Sequence, residues 1–290
     1  METIRTISWM KEVAKESLIN ERPIGLVPTM GALHEGHFSL VREAKRKCSP
    51  VVVSIFVNPK QFGPAEDLKK YPRTFDADRE ALANLGVDVL FAPSAEEMYP
   101  VGFSTSISVQ GLCDRWEGRA RPGHFDGVAT VVLKLFEIVK PHTAFFGRKD
   151  AQQARVIQQM SADLNLDTQI DVCPIVREPD GLALSSRNVY LNPDDRRAAT
   201  AISRSLAACK KIIEDGERDV VRLLAAMRGT LESESRLTPD YVEIVDATTF
   251  ESVRALRGNC YALIAAKAGT TRLIDNAYIE QENGSFRVSM

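Results

Sequence analysis

Short runs of Val, Ile and Phe alternate along the first part of the chain with longer stretches whose apolar residues recur at helical spacing. Continuous apolar runs of strand length read as strands buried on both faces, and their alternation with helices predicts a parallel sheet covered on each side. Five runs carry the prediction. Ile24 to Val27 leads to a helix from about Gly36 to Lys47, striped by Leu40, Val41 and Ala44. Val51 to Val57 leads, through a Pro- and Gly-rich loop, to a helix near Asp76 to Leu85, and Val87 to Phe91 follows Gly86, a fitting helix end. A buried helix is expected over Gly127 to Val139, a strand over His142 to Phe146, a helix over Asp150 to Leu164, and a last strand over Thr168 to Val176.

Past that point the period changes. Two helical segments between residues 193 and 234, broken near Asp215-Gly216, precede YVEIVD, YALIAAKAG and TRLIDNAYIE, which predict a small antiparallel sheet. The expectation is an α/β, doubly wound domain over 1–176 and a smaller α+β domain over 177–290. At 290 residues the chain exceeds the usual size of one core, so two domains are also the natural prior.

Composition narrows the function. Hydrophobic residues are 44% of the chain and charged ones 26%, with 37 basic against 39 acidic side chains for a net charge of -2. That balance gives no electrostatic case for nucleic acid or a membrane surface, and a small-molecule ligand is the better expectation. No run approaches the ~20 apolar residues of a spanning helix, and METIRTISWMKEVAKE lacks an apolar leader core, so a soluble, cytoplasmic protein is expected. Five scattered cysteines without a C-x-x-C pair read as reduced packing residues.

The unusual residues fall after predicted strands. PTMGALHEGH follows the first, NPKQF the second, GRKDAQQ the run HTAFF, and REPDGLALSSRN the last. In an open parallel sheet ligands bind beyond the carboxyl ends of the strands, so all four segments are expected on one rim. The turn at Met30-Gly31 offers backbone N–H groups to a phosphate, and the helix behind His34 adds the positive end of its dipole. His34 and His37 could donate to phosphate or ligate a metal. A zinc-protease pattern needs histidines four apart, and these are three apart. Lys149 is a candidate point charge, Leu184 to Asn188 combines two hydroxyls with a guanidinium on a flexible Gly-preceded loop, and Gln61 and Gln153 could read hydroxyls and carboxylates without adding charge. Each has a bland alternative: satisfied core or surface histidines, a solvated lysine, an N-cap cluster. Their coincidence on one rim favours a phosphate-bearing ligand.

Taken in order, PTMGALHEGH, FVNPKQF, YPRT, RPGHF, FGRKDAQQ, DGLALSSRN and TRLIDN resemble the pantoate:beta-alanine ligases over nearly the full length. HEGH and LSSRN look like that family's counterparts of the two ATP signatures of class I aminoacyl-tRNA synthetases. The resemblance implies a Rossmann-like fold, a homodimer, and a two-step reaction: ATP and pantoate give pantoyl adenylate and pyrophosphate, then beta-alanine displaces AMP. It implies ATP contacts from Met30, Gly31, Ala32, Leu33, His34, Glu35, Gly36 and His37, with His37 as the family's proton donor. Gly147, Arg148, Lys149, Asp150, Val176 and Leu184 would hold the nucleotide, and Lys149, Ser185, Ser186 and Arg187 the triphosphate. Gln61 and Gln153 would hold pantoate, with Gln61 also near beta-alanine, and Arg121 and His124 are further basic candidates. Mg2+ is implied on the phosphates, with Asp78 as its carboxylate, and the C-terminal domain as a lid moving at residues 180 to 188. Arg148 and Ala151 depart from the acidic and aromatic residues usual in the family. Alternatives are nucleotidyl transfer onto a phosphate acceptor, which would need another cationic cluster, and a regulatory nucleotide-binding module.

Overall fold

A computed structural model describes residues 1–63, 68 and 71–290. Part of the expected Pro- and Gly-rich loop, 64–67 and 69–70, lies outside the described residues. The first elements are β1 (Glu2–Ile4), α1 (Ile7–Ile19), β2 (Gly25–Thr29), α2 (Glu35–Lys47), β3 (Val51–Ile55), α3 (Phe75–Asn84) and β4 (Val89–Phe91). They continue with α4 (Ala95–Met98), α5 (Trp116–Ala120), α6 (His124–Val139), β5 (Thr143–Gly147), α7 (Ala151–Asp163) and β6 (Gln169–Cys173). The six strands form one sheet in the order β1-β4-β3-β2-β5-β6, every pair parallel. From β2 the chain steps outward to β3 and β4, then returns to β5 on the other side of β2. The strand order therefore reverses between β2 and β5.

The apolar runs explain the layering. Val27, Val51, Val53, Leu90 and Phe145 pack with Leu40, Val41 and Ala44 of α2 and Leu82 of α3. Their neighbours Leu26, Val52, Phe91 and Ala144 are also fully buried, and since successive strand side chains alternate in direction, both faces of the sheet are covered. Gly25 is required by that closeness: a Cβ there would stand 2.8 Å from Cys48 Cβ.

One expected span changes at its end. The last strand stops at Cys173 rather than Val176 because Pro174 has no N–H to continue the ladder. Val176 instead accepts a backbone bond from Leu184 (3.0 Å) and begins a hairpin. The chain also holds a sixth strand, β1, and the helix α1, which is capped by Thr6 and buries Met10, Ala14 and Ser17 at helical spacing.

The chain divides into two compact units, Met1–Arg148 with Gln152–Cys173, and Lys149–Ala151 with Pro174–Met290. The second unit contains α8 (Pro193–Glu214), α9 (Val220–Glu232), β7 (Leu237–Asp246), β8 (Cys260–Ala268), β9 (Thr271–Glu282) and β10 (Ser285–Ser289). Its strands form an antiparallel sheet in the order β10-β9-β8-β7. Leu206, Ile213, Leu223 and Met227 of the helices bury against Ile244, Ile264 and Ala266 of the sheet. Asn192 caps α8 through Asp194 and Asp195 N–H with Pro193 in the first turn, and Gly216 at φ +107° follows its end. All five cysteines are buried and free, and no described helix is long and apolar enough to cross a membrane.

Candidate active site

Ligands of doubly wound sheets gather where the strand order reverses, because neighbouring loops there part in opposite directions. The turn after β2 is at that point. Gly31 (φ +84°) and Ala32 (φ +52°) take two left-handed conformations in succession, which turns their N–H groups to one side. The anion that the Ala32 and Leu33 N–H groups meet is internal. Asp78 of α3 accepts from Ala32 N–H and Leu33 N–H, both at 2.9 Å, and from the Thr74 hydroxyl at 3.1 Å, while Thr29 Oγ1 accepts from Gly31 N–H at 3.2 Å.

Two expectations are corrected by this arrangement. The N–H groups of Gly31, Ala32 and Leu33 in this turn are spent on protein oxygens rather than left for a phosphate. Asp78, expected as a magnesium carboxylate, is 4% exposed and uses both oxygens to clamp the turn. That geometry does not fit a direct magnesium ligand. Among the described residues no group of three or more His, Cys, Asp or Glu could hold a metal ion.

The histidines are built into the start of α2. His34 is its N-cap: His34 Nδ1 accepts from Gly36 N–H at 3.2 Å, and His37 Nδ1 accepts from His34 N–H at 3.4 Å. This reproduces a capping box with two imidazoles in place of the usual hydroxyl and carboxyl. An Nδ1 that accepts carries no proton, so each neutral ring holds its proton on Nε2 and is a donor there. The rings lie 4.2 Å apart between centroids. Glu35 is exposed and paired with Arg42 at 2.7 Å, a hydrogen bond that holds its carboxyl below the usual range.

After β3, Asn58 organises a buried polar cluster. It caps the short turn Pro59–Gln61 by accepting from Lys60 N–H, and its side chain donates to Gln61 Oε1 (3.1 Å) and Gly127 O (3.0 Å). The Tyr99 hydroxyl donates to Asn58 Oδ1 at 2.9 Å. Gln61, 8% exposed, aims Nε2 at Met30 Sδ at 2.9 Å. Thioether sulfur is a weak acceptor, so this donor has much to gain from a carboxylate or hydroxyl. The Gln61 carbonyl accepts from His124 Nδ1 at 2.8 Å, which puts that ring's proton on Nδ1, and Arg121 Nη1 donates to its Nε2 at 2.9 Å. His124 thus links Arg121 to Gln61. Gly127 allows α6 to approach this closely, since a Cβ would fall 2.2 Å from Lys60 O.

Gly147 ends β5 at the other side of the reversal, and Arg148 follows it, half-buried. On α7, Gln152 is consumed structurally by donating to Leu112 O (2.7 Å) and Arg115 O (2.9 Å) and accepting from Glu117 N–H (3.1 Å). Its neighbour Gln153 is half-buried. These residues, with His34, His37, Met30 and Gln61, belong to the first unit.

The second unit carries the remaining candidates. The Lys149 carbonyl accepts from Asn276 Nδ2 at 3.0 Å, Asp150 is exposed and Ala151 is buried. Residues 176–184, which lead into the segment expected as a flexible loop, form a hairpin. Glu178 N–H donates to Leu182 O and Gly181 N–H to Glu178 O, both at 2.8 Å, around a Pro-Asp-Gly turn in which Gly181 has φ +88°. Glu178 then accepts from Asn188 (2.7 Å) and Arg196 (2.6 Å). Leu184 closes the hairpin, Ser185 caps the turn Ser186–Tyr190 by accepting from Arg187 N–H at 3.3 Å, Ser186 is half-buried, and Arg187 is exposed.

The pantoate-beta-alanine ligase model matches residues 2–278. The chain belongs to the pantoate-beta-alanine ligase family. Pantothenate synthetases of Thermotoga neapolitana and Caldicellulosiruptor saccharolyticus are 52% and 51% identical to it over 279 and 280 residues, 96% and 97% of this chain and 100% of theirs. The crystal structure of pantothenate synthetase from Thermus thermophilus superimposes with a TM-score of 0.91 at 44% identity, covering 95% of this chain and 98% of that one. The Francisella tularensis ligase, crystallised with beta-gamma ATP and beta-alanine, gives 0.77 at 38% identity over 95% and 97% of the two chains. As a pantoate-beta-alanine ligase the protein is an enzyme that joins two molecules, and its fold is the Rossmann-like one expected. Asn58, Asn276 and the clamp formed by Asp78 are roles the ligase reading of the sequence did not supply. Only the Asn-Pro pair, a cap signal, pointed to the first.

Proposed function

We propose that the enzyme condenses pantoate with beta-alanine at the expense of ATP through a pantoyl adenylate, releasing pyrophosphate and AMP. In the first step a pantoate carboxylate oxygen attacks the α-phosphorus and the bond to pyrophosphate breaks. In the second the beta-alanine amine attacks the acyl carbon, loses a proton, and expels AMP with the shared oxygen. A carboxylate is a poor electrophile until its oxygen becomes part of such a leaving group.

The observation that carries this reading is the double histidine cap of α2 at the reversal of the sheet. It gives the helix start two Nε2–H donors beside the positive end of the dipole, an arrangement suited to phosphate oxygens. The reading assigns His34 and His37 to the phosphates, where charge stabilisation is their principal task. Met30 to His37, Gly147, Arg148, Lys149, Asp150, Val176 and Leu184 are assigned to the nucleotide, Lys149, Ser185, Ser186 and Arg187 to the triphosphate, and Gln61 and Gln153 to pantoate. The weak Met30 acceptor opposite Gln61 supports the last assignment. Mg2+ enters only as the counter-ion of the nucleotide, held by phosphate oxygens and water. Residues 177–290 are assigned as a lid over a catalytic domain of 1–176, and unchanged small-angle scattering on adding ATP and pantoate would remove the lid. Cytoplasmic location and a homodimer follow from the family resemblance, and sedimentation equilibrium gives the stoichiometry.

The deciding experiment uses pantoate labelled with 18O in its carboxylate. Adenylate chemistry transfers one label to AMP. Label in inorganic phosphate with ADP formation would replace the adenylate by an acyl phosphate.

A further inference from the structure

The TRLIDN segment lies on β9, and its last two residues do unusual work for a strand. Asp275 and Asn276 are 3% and 2% exposed, and as neighbours in a strand they point to opposite faces of the sheet. Asp275 lies on the face of Leu273 and Ala277, toward the helices. There it takes a bidentate pair from Arg177, at 2.6 and 3.0 Å, and also accepts from Asn276 N–H at 2.8 Å. Arg177 Nη1 donates in addition to Gly181 O at 3.1 Å, inside the Pro-Asp-Gly hairpin. On the other face Asn276 Nδ2 donates to Lys149 O. Burial pushes the Asp275 carboxyl up, while Arg177 and, more weakly, Lys149 pull it down.

We infer that Asp275 and Asn276 are positioning residues: Asn276 fixes the backbone of Lys149, and Asp275, through Arg177, fixes the hairpin that leads into Ser185, Ser186 and Arg187. One dipeptide in a sheet therefore sets the register of both cation-bearing segments of the second unit. Neither residue has a packing reason to be polar. Two adjacent polar side chains buried in the middle of a strand cost stability unless fully paired, and an apolar pair would serve the core as well. Their partners are what distinguish them, since both lead to backbone next to candidate phosphate contacts. The inference rests on the assignment of Lys149 to the triphosphate.

The test is a double-mutant cycle on the full-length enzyme, with single-turnover AMP formation measured at enzyme excess so that slow variants remain readable. Asn276→Ala is expected to lower the rate on the order of tenfold, the scale of a small misplacement of a charge-bearing group, with the KM for pantoate within about twofold. In the Lys149→Ala background the same change should cost less than about twofold, because the group it positions is gone. An equal factor in both backgrounds, or no effect in the parent, overturns the inference. Asn276→Asp keeps the shape but sets an acceptor against the Lys149 carbonyl, and it serves the same cycle if Asn276→Ala does not fold. A parental rate for Lys149→Ala would instead remove the assignment of Lys149, leaving a distinct signature. Asp275→Asn in a cycle with Arg187→Ala tests the second arm by the same criterion.

Discussion

Replacing Asp78 by Asn separates a clamp from a metal ligand with a single atom. The carboxylate accepts from two backbone N–H groups and one hydroxyl at 2.9 to 3.1 Å. The amide keeps one acceptor oxygen and sets an NH2 against the other backbone donor. Hydrogen bonds to a charged group contribute about 1.5–3 kcal/mol each, and an opposed donor adds its own desolvation cost. Ala32 and Leu33 are only half-buried, so water recovers part of the loss. The net is a destabilisation of roughly 2–3 kcal/mol, or about 5–10 °C in Tm for a unit of this size. Because the clamp holds the turn in which Ala32 keeps a strained positive φ, ATP-dependent turnover should fall together with the melting temperature. Differential scanning calorimetry and a magnesium titration of turnover read both. A Tm within about 1 °C of the parent, accompanied by a large rise in the magnesium midpoint, would refute the clamp and restore the metal ligand.

Other outcomes follow from the same geometry. His37→Ala should reduce turnover by roughly 10²- to 10³-fold, the scale of losing one transition-state donor, and isothermal titration should still detect ATP. Gly127→Ala should unfold or strongly destabilise the first unit, seen by circular dichroism, since its Cβ would enter the Lys60 carbonyl. Glu178 is held below the usual carboxylate range, first by its hydrogen bond from Arg196, so its contribution is present above about pH 4.5 and lost as pH falls through the lowered value. Glu178→Gln should therefore flatten the acid limb of a urea-denaturation series and leave the neutral limb displaced. Burial pushes the Cys209 thiol up to about 12 and those of Cys113, Cys173 and Cys260 up to about 11, so mass spectrometry should find these thiols unalkylated by iodoacetamide at about pH 7.5 until denaturant is added.

The sheet was legible where burial on both faces made the runs continuous, as at Val51 to Val53, and the loops were legible from the glycines and prolines that end them. β1 was not, because three residues are too few to show a period. α1 was passed over because its buried stripe of Met10, Ala14 and Ser17 is narrow and interrupted by charge. In the site, the histidines announced themselves by rarity and position. Asp78 announced itself as an acid but not as an acceptor, since its donors are 45 and 46 residues away in the chain. Periodicity reports which face a residue occupies, whereas the partner of a buried polar atom is a tertiary fact. That is also why Asn276 could be quoted within a motif and still have no role until its contact with Lys149 was in view.

The clamped turn after β2 bears on how such a site can change over time. Main-chain amides that cradle a phosphate are common to every residue, and substitution hardly alters them. Here the Ala32 and Leu33 amides are occupied by the Asp78 carboxylate, and on the proposed function donation falls to two imidazoles mounted on the helix start. On that reading recognition moves from the invariant part of the polypeptide to the part that genes can rewrite one codon at a time. A scaffold of this kind can exchange one anionic ligand for another without redrawing its backbone.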